Sequence, residues 1–292
     1  MRIADTTRNA SVLRTIQDLR SRQADAQARA LTGRQVNKPS DDPAAAAELA
    51  RIRASSAQAD NQLKAASVAK GDVELAEGVL AQAGDLFQQA HDLAMQGANG
   101  SMDAATRASL ASQVQGIKDQ LVGLANTQGA TGYLFGGSKT TTQPFATSGA
   151  FSGDNNDHVV DLGGSSPTSV GVSGADAFTA AGGRDVFADL DSLVTALNSN
   201  SQSGIQGTLA NLEASRKQLT NVRALAGIKI DRLNTTEDIL GQAKLALAQR
   251  EETTAGADPY QAYSDLVTLG QSLEQAVGIA KKILDLGDLF RI

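Results

Sequence analysis

Two lines of small and apolar residues, each repeating at every seventh position without a miss, constrain this chain more than any other feature. The first runs Ile52, Ala59, Ala66, Val73, Leu80, Phe87, Ala94; the second runs Leu212, Leu219, Ala226, Leu233, Leu240, Leu247. A strict seven-residue repeat keeps one stripe of a helix against one partner along its whole length, which is what coiled-coil packing requires. Leu49, Leu63, Ala76, Ala83 and Ala90 fill the second seam position of the first line. At 1.5 Å per residue the helix from Ala44 to about Gln96 and its counterpart around the second line are each roughly 75–80 Å long, matched in length as partners in a rod. Gly71, Gly78 and Gly84 each weaken the first helix by about 1 kcal/mol relative to alanine and leave room for a local bend.

Composition supports helices that pack closely through small side chains. The 292 residues include 49 alanines but only ten aromatic residues, with no tryptophan and no cysteine. Folds with large aromatic cores are disfavoured. The lack of cysteine excludes disulfides, thiolate zinc sites and thiol nucleophiles. A net charge of -6 speaks against general affinity for nucleic acid or anionic membrane. No apolar run approaches the ~20 residues needed to span a bilayer. Residues 1–30 carry no hydrophobic stretch of signal-peptide type, so secretion is expected to use a route without a cleaved N-terminal signal.

Pro39, Pro43, Pro144, Pro167 and Pro259 punctuate the chain. Between Asp5 and Thr32, Val12, Ile16 and Leu19 share one face, continued by Ala26 and Ala30, and Gly33 suits the left-handed residue that ends a helix. In the turn Asn37 to Pro43, Asp42 is placed to cap and Pro43 to open the next helix. A second Asp-Pro pair, Asp258-Pro259, starts a last helix whose seam is Ala262, Leu266, Leu269, Leu273, Val277, Ala280 and Leu284. Leu110, Val114, Ile117, Leu121 and Leu124 mark another amphipathic helix ending near Gly129 to Gly132, and Val186, Leu190, Leu193 and Leu197 a short one. The Gly-, Ser- and Thr-rich stretch between them holds alternating segments, His158 to Leu162 and Ser169 to Ser173, and five of the seven phenylalanines lie in or beside it. It reads as a small inserted β-rich domain with its own aromatic core. The expected architecture is mainly α: an N-terminal arm and turn (1–43), rod helices (44–132), the β-rich outer domain (133–183), rod helices (184–257) and a C-terminal arm (258–292).

The two arms carry opposite charge. Up to Arg34 there are seven arginines and three acids, a balance of +4; from Glu251 to Ile292 three bases and seven acids give -4. Apolar-seamed helices of opposite sign are suited to lie side by side, within one subunit and between neighbours. Arg2, Arg8, Arg14 and Arg20 are spaced by six, so they encircle the helix and form no nucleic-acid-binding stripe. An arm of about 30 residues is marginal on its own, and both arms are expected to order on assembly.

Sites of chemistry have little support. His91 has no ligand partner at i+4. Asp154 to His158 lacks the glycine and terminal glutamate of a calcium loop and reads as a polar turn. Gly132, Gly137, Ser138, Lys139 and Thr140 approach a phosphate-binding loop, but the last glycine is not adjacent to the lysine and the segment follows a helix. No nucleophile elbow occurs. Neither catalysis, a cofactor nor a metal is expected.

The start Met1-Arg2-Ile3, the stretch Gly33 to Ala44, the segment Asn126-Thr127 through Gly132-Tyr133-Leu134-Phe135-Gly136-Gly137, and the ending Leu289-Phe290-Arg291-Ile292 resemble the bacterial flagellin superfamily, and within it the branch of hook-filament junction proteins. The likeness covers nearly the whole chain and is weakest between Ala146 and Asp176. Filament flagellins have a related Asp-Asp-Ala turn but usually lack the Lys-Pro-Ser and Asp-Pro elements present here. The branch's methionine-rich N-terminal arm is not matched, since the only methionines are Met1, Met95 and Met102. The resemblance implies a rod-like subunit whose terminal helices line the core of a tubular assembly. It also implies export through the flagellar type III channel without cleavage, an export chaperone on the C-terminal region, and an extracellular position in a ring. There the subunit would be a structural adapter joining the first junction protein, on the hook side, to flagellin. Expected assembly contacts are Ile3, Val12, Ile16 and Leu19 in the first arm, Asn37, Pro39, Ser40, Asp41 and Asp42 in the turn, and Leu266, Leu269, Leu273, Val277, Leu284, Leu289, Phe290 and Ile292 in the last arm. A filament-forming flagellin, or a type III secreted coiled-coil effector or tip protein, are the alternatives.

Overall fold

Four aspartates set where helices begin. Asp42 Oδ1 accepts from the amides of Ala44 and Ala45 at 2.9 and 3.0 Å, and Asp258 Oδ1 accepts from that of Tyr260 at 2.9 Å, each just ahead of a proline. Asp103 accepts from Thr106 at 2.7 Å, and Asp185 from Phe187 and Ala188 at 3.1 and 2.9 Å. Each carboxylate satisfies amides that have no partner in the first helical turn, and proline at the first position has no amide to leave unpaired. The computed structural model describes residues 2–156, 158–163 and 167–289, with the side chains of residues 10–282 within those limits. It is mainly helical: α1 (Arg2–Thr32), α2 (Pro43–Gly97), α3 (Ala104–Ala125), α4 (Gly174–Phe178), α5 (Val186–Asn198), α6 (Gln202–Ala255) and α7 (Pro259–Leu289). The strands are β1 (Gln128–Gly129), β2 (Gly132–Tyr133), β3 (Val159–Val160) and β4 (Thr168–Ser169), paired antiparallel as β1-β2 and β3-β4.

The chain divides into two units, residues 59–243 and residues 1–58 with 244–292. In the first, the seven-residue lines from Ala59 to Ala94 and from Leu212 to Leu240 are buried throughout, while Leu63 in the second seam position is half-buried. Ion pairs of Lys70 with Glu237 at 3.1 Å and of Glu77 with Arg223 at 2.5 Å join these parts of α2 and α6 in the antiparallel sense. α2 stays helical through Gly71, Gly78 and Gly84, each of which has open space beside it. α3 packs on α5, and Leu110, Val114, Ile117, Leu121, Leu190, Leu193 and Leu197 complete the core.

Buried Arg107 ties the turns at one end of this unit together. Its guanidinium donates to the carbonyls of Gly97 at 2.8 Å and Asn99 at 2.9 Å, and to Asn200 Oδ1. The first of these carbonyls belongs to the last residue of α2, so the cation also sits at the negative end of that helix.

Between residues 133 and 183 the structure departs from the expected β-rich domain with its own core. The strands are two residues long, with one isolated bridge between Phe145 and Phe151. Phe135, Phe145, Phe178 and Phe187 form edge, tilted and stacked ring contacts at centroid distances of 5.3 to 5.9 Å, and they belong to the same core as α2, α3, α5 and α6. The reason is the scarcity of other apolar side chains in this Gly/Ser/Thr-rich segment, which leaves the rings to find burial on the helices. Its backbone is held by polar side chains of those helices. Asn126 exchanges two 2.9 Å hydrogen bonds with the backbone of Phe145, Asp72 accepts from the amides of Ala130 and Thr131, and Gln218 donates to the carbonyls of Ala177 and Arg184. Asn126 also ends α3 at Ala125, four residues short of the expected glycines. His91 is half-buried in α2 and its Nδ1 makes no hydrogen bond.

Candidate functional site

The unit of residues 1–58 and 244–292 is built around the Thr32 to Pro43 connection. α1 stops because Gly33 takes a positive φ of 65°, its amide closing the last turn on the Arg29 carbonyl at 2.9 Å. The Thr32 hydroxyl donates to Asn37 Oδ1 at 2.9 Å, and Asn37 Nδ2 donates to the Arg34 carbonyl at 2.8 Å. Asp41 then accepts from the amides of Asn37 and Lys38 at 3.0 and 2.9 Å, while its own amide donates to the Lys38 carbonyl at 3.0 Å. The amides of Lys38 and Asn37 hold the Asp41 carboxyl below its ordinary value of 3.8. The turn is therefore closed by its own side chains.

Beneath it lies a small core of Val36, Leu49 and Ala255. The connection after α6 pairs with the connection after α1: the Gln35 amide donates to the Ala255 carbonyl at 2.6 Å, the Ala257 amide donates to the Gly33 carbonyl at 2.9 Å, and Arg34 faces Gly256 in an antiparallel bridge. Arg34 and Arg53 both reach Glu251 Oε1, at 3.3 and 3.0 Å. Lys38 reaches Asp25 at 3.2 Å. Asn37, Pro39, Ser40, Asp41 and Asp42 are all exposed on this framework.

α1 packs along α7. Of the expected contact residues, Val12, Ile16, Leu19, Leu266, Leu269 and Leu273 are half-buried, whereas Val277 is exposed. The side chains of Ile3, Leu284 and Leu289, and all of Phe290 and Ile292, lie outside the described residues. Other apolar residues are more open than any of these: Leu13 at 60%, Leu31 at 78%, Tyr260 at 90% and Tyr263 at 67%. Sequence reading missed them because they fall off the seam, yet apolar residues left over once a helix's seam is filled are themselves a signal of a second contact face. The opposite charges of the two helices do not meet: among the described residues no ion pair joins α1 to α7.

Among the described residues no three His, Cys, Asp or Glu side chains come together to hold a metal ion, and no helix is long and apolar enough to cross a membrane. In the glycine-rich Gly132 to Thr140 segment the amides of Tyr133 and Ser138 are already engaged, by the Thr140 carbonyl at 2.8 Å and by Asp154 at 2.8 Å. The hydroxyl and amide of Ser138, with the amide of Asn156, bring the Asp154 carboxyl down to about 2.

Residues 3–140 match the family described as the bacterial flagellin N-terminal helical region. The chain is 30% identical over 251 residues to flagellar hook-associated protein 3 of Escherichia coli (strain K12), covering 78% of this chain and 79% of that one. Two solved structures share its fold: FlgL of Bacillus cereus, with a TM-score of 0.60 and 21% identity, covering 69% of this chain and 99% of that one, and the flagellar junction protein FlgL of Legionella pneumophila, with a TM-score of 0.56 and 16% identity, covering 71% and 99%. Terminal helices joined through a paired turn, together with a second, mainly helical unit, thus define a flagellin-like structural subunit. Within that class, the chain belongs to the family of flagellar hook-associated protein 3, and it is a component of the bacterial flagellum.

Proposed function

We propose that the chain is the structural adapter between hook and filament, outside the cell, contacting the first junction protein on one side and flagellin on the other. The observation that carries this reading is the kinship with hook-associated protein 3 over most of the chain's length. The terminal helices give it a physical basis: their seam residues pack only partly within the subunit, and large apolar side chains beside the seam stay open to neighbouring copies. The exposed, internally bonded Asn37 to Asp42 turn is a rigid element that a neighbour can grip without an ordering cost. Export follows the flagellar type III route without cleavage, with a chaperone on the C-terminal region, and the arms gain most of their order in the ring. Deleting the gene is expected to leave cells with hooks, without filaments, and with flagellin in the medium. Normal swimming after the deletion would remove the reading. Growth of long filaments from the purified chain alone would favour a filament-forming flagellin instead.

A further inference from the structure

Asn99-Gly100 is the only Asn-Gly pair in the sequence, and it lies in the turn after α2 that Arg107 ties down. Both residues are exposed. The Gly100 amide donates to no acceptor among the described residues, and neither does Asn99 Nδ2. Asn99 Oδ1, in contrast, accepts from the Ser101 amide at 3.1 Å and from the Ser101 hydroxyl at 3.0 Å. These two donors polarise the carboxamide and face the oxygen on which negative charge develops when a nucleophile adds to Cγ. The Asn99 carbonyl accepts from Arg107 Nη2 at 2.9 Å. That carbonyl belongs to the same peptide group as the Gly100 nitrogen, so the buried cation stabilises the anion left when this amide loses its proton. A free nucleophile, an activated carbonyl and an unbonded leaving group thus meet in one turn. Glycine leaves the approach unhindered, although packing does not require it: a Cβ at Gly100 would meet nothing nearer than the Gln202 side chain at 3.5 Å. We propose that Asn99 is a self-modifying residue, deamidated by the chain's own Gly100 nitrogen with Ser101 and Arg107 assisting. The Gly100 nitrogen gives up its proton and bonds to Asn99 Cγ, the Cγ–Nδ2 bond breaks, and Nδ2 takes up a proton and leaves as ammonia. Water then opens the cyclic imide at either carbonyl, giving aspartate or isoaspartate. In isoaspartate the main chain runs through the former side chain, and the carbonyl that Arg107 grips becomes a free α-carboxylate. A buried cation whose hydrogen bonds went only to neutral acceptors then gains a counter-charge.

Mass spectrometry of the purified full chain, incubated at neutral pH, tests this. Residue 99 should become about 1 Da heavier with time, and fragmentation should resolve aspartate from isoaspartate there. The folded chain is expected to react about threefold or more faster than the same chain in urea, because only the fold sets Ser101 and Arg107 around the turn. Ser101→Ala, with its helicity checked, should slow the folded chain by about threefold or more and leave the rate in urea as it was. Gly100→Ala should fold and keep its amide over the same period. A folded chain that reacts no faster than the unfolded one, or a Ser101→Ala chain as fast as the parent, overturns the proposal. So does an Asn99 that stays an amide throughout, or a Gly100→Ala chain modified at the parent's rate.

Discussion

Arg107 is a buried charge whose guanidinium hydrogen bonds go to neutral acceptors, two carbonyls and an amide oxygen. Its planar fork serves all three at once, which a lysine cannot do from a single point. Arg107→Met should leave the Gly97 and Asn99 carbonyls without their donor and cost about 2–4 kcal/mol, read as a lower urea midpoint with the slope unchanged. Arg107→Lys should fall between the two, and equal stability of all three proteins would show the clamp to be idle. Asp41 behaves differently, because it is exposed and its effect is local. Its folded pKa lies below 3.8, so its contribution to the turn is complete above that pH and is lost as the pH falls through the lowered value. The protection of the Asn37 and Lys38 amides, their exchange measured relative to the intrinsic rate at each pH, should fall only on the acid side. A flat profile would mean that the carboxylate does not hold the turn. Neither Arg107 nor Asp41 could be assigned these partners from sequence, since their acceptors and donors are backbone groups whose positions depend on the fold.

At the scale of elements, the helices were legible and the loops were not, for one physical reason. A heptad reports a partner without saying where in the chain that partner lies, and the buried line from Ala59 to Ala94 needed nothing more. The loop backbone at Ala130, Thr131, Phe145, Ala177 and Arg184 depends on Asp72, Asn126 and Gln218, whose spacing from their targets carries no period. The same limit applies to the assembly surface. The seam residues of α1 and α7 were readable, whereas the exposed flank of Tyr260 and Tyr263 became visible only once the seam was known to be occupied. Glycines give the sharpest test of the helical reading. A Cβ at Gly97 would lie 2.5 Å from Leu197 Cδ2, so Gly97→Ala should destabilise by about 1–3 kcal/mol through overpacking where α2 meets α5. A Cβ at Gly78 meets nothing within 4 Å, and Gly78→Ala should stabilise by about 0.5–1 kcal/mol, because the helix needs no glycine there. Thermal melts of the two variants should move in opposite directions. A lower midpoint for Gly78→Ala would show that α2 uses the flexibility its sequence suggests.

For the whole molecule, the two units differ in how the chain builds them. Residues 59–243 are continuous in sequence, and the large core runs from Ala66 to Leu233 inside them. The other unit joins residues 1–58 to 244–292 across the full length of the chain, around a core of Val36, Leu49 and Ala255. Closing that long loop costs entropy that so small a core offsets only narrowly, whereas the continuous unit carries its aromatic cluster and both seams with it. A fragment of residues 59–243 should therefore fold alone, with a melting midpoint within about 5 °C of the upper transition of the full chain. The full chain should melt in two steps by calorimetry, the lower step reported by amide exchange in the described parts of α1 and α7 and the upper by the phenylalanine core. An arm unit that unravels first in the free subunit is what ordering on assembly requires, since neighbours then supply the stability that the isolated unit lacks. A single transition in which α1, α7 and the core lose protection together would contradict that coupling, and an unfolded 59–243 fragment would show that the large core depends on the arms.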